Sequence, residues 1–282
     1  MARQYYYLVT GLPDIIQDES KLSISQEKFK EEARNQLDTS DYKLAEEIFR
    51  EYDHKNLLNL VLEKNEPHSH LGNWSRDFLE DEIKSPDELP SYAVTFIQSY
   101  KENNPIVREM SWENQLYHLF YQEKLNSSNS FITNWFDFEL NFNNILAALN
   151  CRKFQLPMEK EIIGENDIAE IIKRSSSADF GLSRELPYLE GMIHAFDNPN
   201  LLDRERALDE IKWNYLNEIT VFSYFNIETI LAFMLKLRIS ERWLKLDQET
   251  GKENFQRVID ELKSSYEFPE DFNLTGGKKH DH

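Results

Sequence analysis

Two histidine groupings, one cysteine and a few helix carboxylates are the residues with most scope for chemistry. His68 and His70 flank Ser69, a spacing that lets an extended loop offer two imidazoles to a metal. No third ligand stands near them in sequence, and a solvated loop is the plainer use. Glu51-Tyr52-Asp53-His54 supplies one Glu-x-x-His step. A ferritin-like di-iron bundle needs two such steps and two further glutamates, and the second step is missing. Cys151 is the sole cysteine and has no C-x-x-C partner, so zinc ribbons and an internal disulfide are excluded. On the apolar-to-polar end of a helix it reads as a buried structural thiol. Asp137, Glu139 and Glu190 are helix acids without a converging base, which suits surface or salt-bridged groups.

Phosphate chemistry has little to build on. Neither G-x-x-x-x-G-K-[ST] nor G-x-G-x-x-G occurs, and no G-x-S-x-G elbow occurs. The chain has 8 glycines, where average usage of about 7% would give roughly 20. That scarcity suits helices, whose interiors disfavour glycine by about 1 kcal/mol. The expectation is a protein with no catalytic residue, no cofactor and no metal. The alternatives are a helical metal protein or enzyme using His68 and His70, or Glu51 and His54, and a generic helical scaffold of another complex.

Charge narrows the partners. There are 51 acidic against 32 basic residues, a formal net charge of -19. Such a chain repels nucleic-acid phosphates and anionic lipid, so no nucleic acid is expected. The charge serves solubility, or complements a basic partner. A single cysteine suits a reducing compartment. The opening MARQYYYLVTGLP lacks the apolar run of a signal peptide. The longest purely apolar run, 230–235, falls far short of the ~20 residues of a membrane span. A cytoplasmic location is therefore expected.

The elements that must position these groups are helical. Residues 5–10 are aromatic and β-branched and read equally as a short strand or a first helical turn. Ser25 caps a helix bearing Phe29, Ala33 and Leu37 at helical spacing, and Ser40 or Asp41 can cap the next, with Leu44, Ile48 and Phe49 on one face. A short apolar helix follows at 56–62. Pro67, Gly72, Pro86 and Pro90 break the chain around a helix at about 74–83. Helices are expected at 92–100, 112–125 and 131–154, with a polar hinge at 126–130. After a turn at 164–167, a helix starts at 168, and Asn198-Pro199-Asn200 marks a break. Two long helices, 203–224 and 227–247, and a last one at 253–262 complete the set. The tail from 275 is expected to be disordered.

Asp41-Tyr42-Lys43-Leu44 with Glu47-Ile48 loosely matches Asp179-Phe180-Gly181-Leu182 with Glu185-Leu186, and Ala33 and Ile171 occupy corresponding places in the preceding helices. Duplicated helical units would explain the match. The expected fold class is all-α, with repeated multi-helix units in a funnel-like array. The expected division is an N-terminal helical unit, 1–130, C-terminal helical units, 131–268, and a disordered tail, 269–282.

Three segments carry a resemblance. Phe138-Glu139-Leu140-Asn141-Phe142-Asn143-Asn144-Ile145-Leu146-Ala147-Ala148-Leu149-Asn150-Cys151-Arg152-Lys153-Phe154 resembles a helix of the V-type and archaeal ATPase subunit called C, or d in eukaryotes. Residues 225–237, with Glu241-Arg242-Trp243-Leu244-Lys245-Leu246-Asp247 and Gly251, look like its closing helix, and more strongly like that of a bacterial family encoded beside V-type ATPase genes. Tyr5-Tyr6-Tyr7-Leu8-Val9-Thr10-Gly11-Leu12-Pro13 is similar to the opening of that bacterial family. The resemblance implies a funnel of three-helix units that sits on the membrane rotor ring and receives the central stalk. It implies a location on the cytoplasmic face of the inner membrane, held there through protein contacts alone. This chain is shorter than the usual subunit, which puts a full three-fold funnel in question.

Within that frame Asn143 and Asn144 either hydrogen-bond a neighbouring helix or face solvent. The candidate partner-contact residues are Arg152, Lys153, Glu241, Arg242 and Lys245. Arg152 and Lys153 also suit the negative end of their own helix, and Glu241 to Lys245 is a favourable i,i+4 pair.

Overall fold

Side-chain caps start most of the long helices. The structure, a computed structural model, describes residues 3–15 and 22–245. Among these residues all regular structure is helical, in thirteen helices. The first is α1 (Tyr6–Thr10), so the ambiguous opening is a short helix and not a strand. Next come α2 (Gln26–Gln36), α3 (Thr39–Ile48), α4 (Arg50–Val61), α5 (Arg76–Lys84), α6 (Ser91–Lys101) and α7 (Trp112–Lys124). The longest is α8 (Ser130–Phe154), followed by α9 (Met158–Glu161), α10 (Asp167–Arg174), α11 (Leu189–Phe196), α12 (Leu201–Ile219) and α13 (Ile227–Lys245). Ser25, Ser75, Ser111, Asn129, Asn166 and Asn200 each accept a bond from a first-turn amide, which satisfies one of the amide donors that a helix start leaves without a partner.

Helix α8 is the hub. Its 25 residues span about 37 Å at the α-helical rise, and it packs against α7, α9, α10, α11 and α12. Trp135, Phe142, Ile132, Leu140 and Ile145 are among the largest fully buried side chains. Phe138 stacks on Tyr215 of α12, with ring centroids 3.9 Å apart. The helix ends where Gln155 turns left-handed at φ 57° and the Leu156 amide bonds back to the Cys151 carbonyl. Helix α13 lies against α2, α3 and α12. Phe29 of α2 meets Phe233 of α13 edge-on at 4.7 Å. One apolar cluster therefore runs from Leu8 to Leu237 and crosses position 130 without a gap.

Several expectations change. The cap of α3 is Asp38, whose carboxylate accepts from the Ser40 and Asp41 amides, and not Ser40 or Asp41. The expected helix 56–62 begins earlier, at Arg50, because Arg50, Asp53, His54 and Asn56 are buried polar residues that extend the inward face. Helices α9 and α11 are additions. Helix α12 stops at Ile219, before the aromatic run 221–225. The proposed repeat does not carry into conformation. Residues 41–48 are helical in α3, whereas Asp179 collects the Ser177 hydroxyl, the Gly181 amide and the Ser183 hydroxyl in a turn. Phe180 and Gly181 there take positive φ, 56° and 77°. Ala33 is fully buried, while Ile171 is exposed. The helix expected at 253–262 and the tail lie outside the described residues, as do Leu246, Asp247 and Gly251.

Candidate partner-binding surface

The groups with catalytic potential are engaged structurally. His54 is fully buried, with its Nε2 2.9 Å from the Tyr92 hydroxyl. Tyr92, Tyr117 and Phe120 meet its ring edge-on at 5.5, 5.3 and 4.6 Å. Burial pulls its pKa down to about 3, so the imidazole is neutral at pH 7. Glu51, on the same helix, instead pairs with Lys55 at 2.9 Å and Arg238 at 3.0 Å. The two ends of the Glu-x-x-His step serve separate networks. His68 lies 3.3 Å from the Asn56 amide nitrogen, and its ring is 6.2 Å from that of His70. Among the described residues, no group of three or more His, Cys, Asp or Glu is placed to hold a metal. Cys151 is buried, and burial, then Glu161 and Glu159, raise its thiol to about 11. A thiolate nucleophile is disfavoured there. Glu139 takes a bond from Tyr121 and faces Arg238 at 3.6 Å. Burial raises the Asp137 carboxyl against the opposing bond from Asn141, and Glu190 is exposed.

The five candidate contact residues also hold the chain together. Arg152 donates to the carbonyls of Ser175, Ser177 and Ala178, and its guanidinium lies 3.8 Å from the Phe180 ring centre. It ties down the turn after α10, a use beyond the helix-end role anticipated for it. Lys153 sits 5.2 Å from the Phe196 ring and 5.8 Å from that of Phe154. Glu241 accepts from the Gln26 amide at 2.7 Å and the Gln26 side chain at 2.8 Å, which caps α2 from a distant helix. Arg242 pairs with Asp209 and with Glu205, and the Trp243 indole N–H donates to the same Asp209 at 2.9 Å. Lys245 faces Glu241 at 3.8 Å, and its side chain is otherwise open to solvent. Asn143 and Asn144 divide the two uses proposed for them. Asn144 is buried and clamps Ile163 through both its carbonyl and its amide, at 2.7 and 2.9 Å, while Asn143 is exposed and reaches only the Tyr121 hydroxyl.

The feature left without a structural use is a surface. Of eight large apolar side chains exposed among the described residues, five fall in two segments that meet: Tyr6 and Tyr7 in α1, and Val221, Phe222 and Tyr224 in the connection before α13. They come from opposite ends of the described chain. The Tyr5 amide donates to the Phe225 carbonyl at 2.6 Å, and the Tyr6 and Phe225 rings lie 4.7 Å apart. The Tyr5 hydroxyl donates to Asp41 at 2.5 Å, pinning α1 onto α3. Burial and that bond raise the Tyr5 phenol to about 12, so it stays a donor. The connection between α12 and α13 turns at once, with the Ser223 amide bonded to the Thr220 carbonyl at 2.8 Å. The turn throws Val221, Phe222 and Tyr224 outward. Tyr7 is 93% exposed and Phe222 85%. Clustered apolar exposure of this kind marks an interaction site, and aromatic side chains dominate interface energetics. Sequence reasoning placed 221–224 in the end of a helix. The available signal was an aromatic run where a polar turn is normal.

Residues 1–266 match the model of the family described as Protein of unknown function (DUF2764). The chain belongs to that family. No curated protein and no solved structure matches it.

Proposed function

We propose that this protein is a non-catalytic coupling subunit of a V/A-type ATPase, linking the membrane rotor ring to the central stalk. The observation that carries the partner-binding half of this reading is the cluster of Tyr6, Tyr7, Val221, Phe222 and Tyr224, exposed together on a well-packed helical body. The ATPase half is supported by the resemblance of 5–13, 138–154 and 225–247 to that subunit and its bacterial relatives. One of those segments supplies Tyr6 and Tyr7, and another begins at Phe225, whose ring Tyr6 touches beside the surface. Coupling work needs stiffness and binding faces, and a single continuous core of packed helices supplies the stiffness. No helix among the described residues is long and apolar enough to cross a membrane. On this reading the subunit reaches the cytoplasmic face of the membrane through protein contacts alone.

The test is affinity isolation of the tagged full-length protein from a gentle, membrane-inclusive preparation, compared with a Tyr7→Ser, Phe222→Ser double variant. Rotor and stalk subunits are expected with the native chain and strongly reduced with the variant, at unchanged melting temperature. A native chain recovered without any ATPase subunit would sink the proposal, and recovery with another stable complex would make it a scaffold there.

A further inference from the structure

We infer that the aromatic surface takes a basic partner: a protein segment whose apolar side chains are flanked by lysine or arginine. This rests on the reading of the chain as a partner-binding subunit and specifies the chemistry of what it binds. Acidic residues flank the segments that carry the surface. Asp41 holds Tyr5 from below, and Asp38 caps the same helix. Asp14 is exposed four residues past α1, and Glu218 is exposed one helical turn before Phe222. Glu228 stands in the first turn of α13 and keeps one buried carboxylate oxygen without a hydrogen-bond partner. Arg3 answers only Asp38, at 2.6 Å. With Arg3 so paired and Lys236 bonded to Asn217, the exposed Asp14 and Glu218 are the acids left open to a partner, and these favour a partner of the opposite sign.

Other occupants fit worse. A second copy would set acid against acid. Residues 246–282 of this chain carry more acids than bases, so they do not complement these acids. Anionic lipid would be repelled by the same carboxylates.

The test places the photo-crosslinker p-benzoylphenylalanine at Tyr7 or at Phe222 of the full-length protein in its native cells. Peptides joined to it are then identified by mass spectrometry. The expected result is one partner segment captured from both positions, bearing more Lys and Arg than Asp and Glu. Capture should fall roughly tenfold in a Glu218→Lys, Asp14→Lys background, as loss of this attraction implies. Both charge reversals are at exposed sites, and circular dichroism checks that the fold persists. Crosslinks to a neutral or acidic segment, to a second copy, to residues 246–282, to lipid only or to nothing would overturn the inference, as would indifference to the reversals. A basic partner that is not an ATPase subunit would overturn the coupling role and leave the inference standing. ATPase subunits that co-purify without these crosslinks would do the reverse.

Discussion

Asp53 is fully buried on α4, and a single carboxylate there organises the loop that follows. It accepts from the Asn73 amide at 2.5 Å, the Asn73 side chain at 2.7 Å, the Trp74 amide at 2.9 Å and Arg50 at 3.2 Å. A Cβ on Gly72 would lie 2.8 Å from its Oδ1, so only glycine lets the loop come this close. Replacing Asp53 with alanine leaves the Asn73 and Trp74 backbone amides without their acceptor and takes the nearer of two carboxylates from the buried Arg50. We expect a loss of about 3–5 kcal/mol in urea unfolding; a loss under 1 kcal/mol would show that the loop does not depend on this group. His54, the next residue, sets a pH dependence. Its folded pKa is about 3 against an ordinary 6.5, so between those values the unfolded chain binds the extra proton. Stability is complete above pH 6.5 and declines as pH falls, at about 1.4 kcal/mol per pH unit. From pH 6.5 to 5, above the range where most carboxylates titrate, the loss should be about 2 kcal/mol. A His54→Gln variant should flatten that slope, and an unchanged slope would assign the effect elsewhere.

At the scale of elements, the long helices are held to each other by side chains that reach far in sequence. Glu241 near the end of α13 caps the start of α2, where Gln26 is buried. Glu241→Ala should cost about 1 kcal/mol, the ordinary value of a lost cap. Hydrogen exchange should quicken at the first amides of α2 while the amides of α8 are unaffected. Uniform protection in native and variant protein would contradict the cap. Asn144 does for the loop after α9 what Asp53 does for the loop before α5: a buried polar group on a helix supplies the partners that a loop's backbone needs. This explains why α4 and α8 carry buried polar residues in otherwise apolar faces.

For the whole molecule, charge is the term that no local contact balances. A net charge of -19 spread over one folded body repels itself. Raising ionic strength from about 0.01 to 0.15 M shortens the screening length from about 30 to 8 Å. The melting temperature at pH 7 should therefore rise, by about 2–4 °C if the relief is about 1 kcal/mol. A fall would mean that the ion pairs, such as Glu51–Arg238 and Asp209–Arg242, outweigh the repulsion. On the proposed reading, the acid excess that costs stability in the free protein is also what favours a basic partner.

The all-helical character of the described residues, the Ser25 cap and the span of α8 were legible, because cap chemistry and 3.6-residue periodicity act over a few neighbours. The structural burial of Cys151 followed from the same local pattern. The polar faces of α4 were not legible, since Arg50, Asp53 and His54 look solvent-exposed until their partners at 73, 74 and 92 are known. Nor was the use of Glu241 and Arg242, whose partners lie on α2 and α12. The aromatic surface was hidden for the same reason. Tyr7 and Phe222 are some two hundred residues apart, and neither says by itself that it will be exposed. Helix propensity is a property of a segment, whereas burial and exposure belong to pairs of segments, and only the packed chain brings those pairs together.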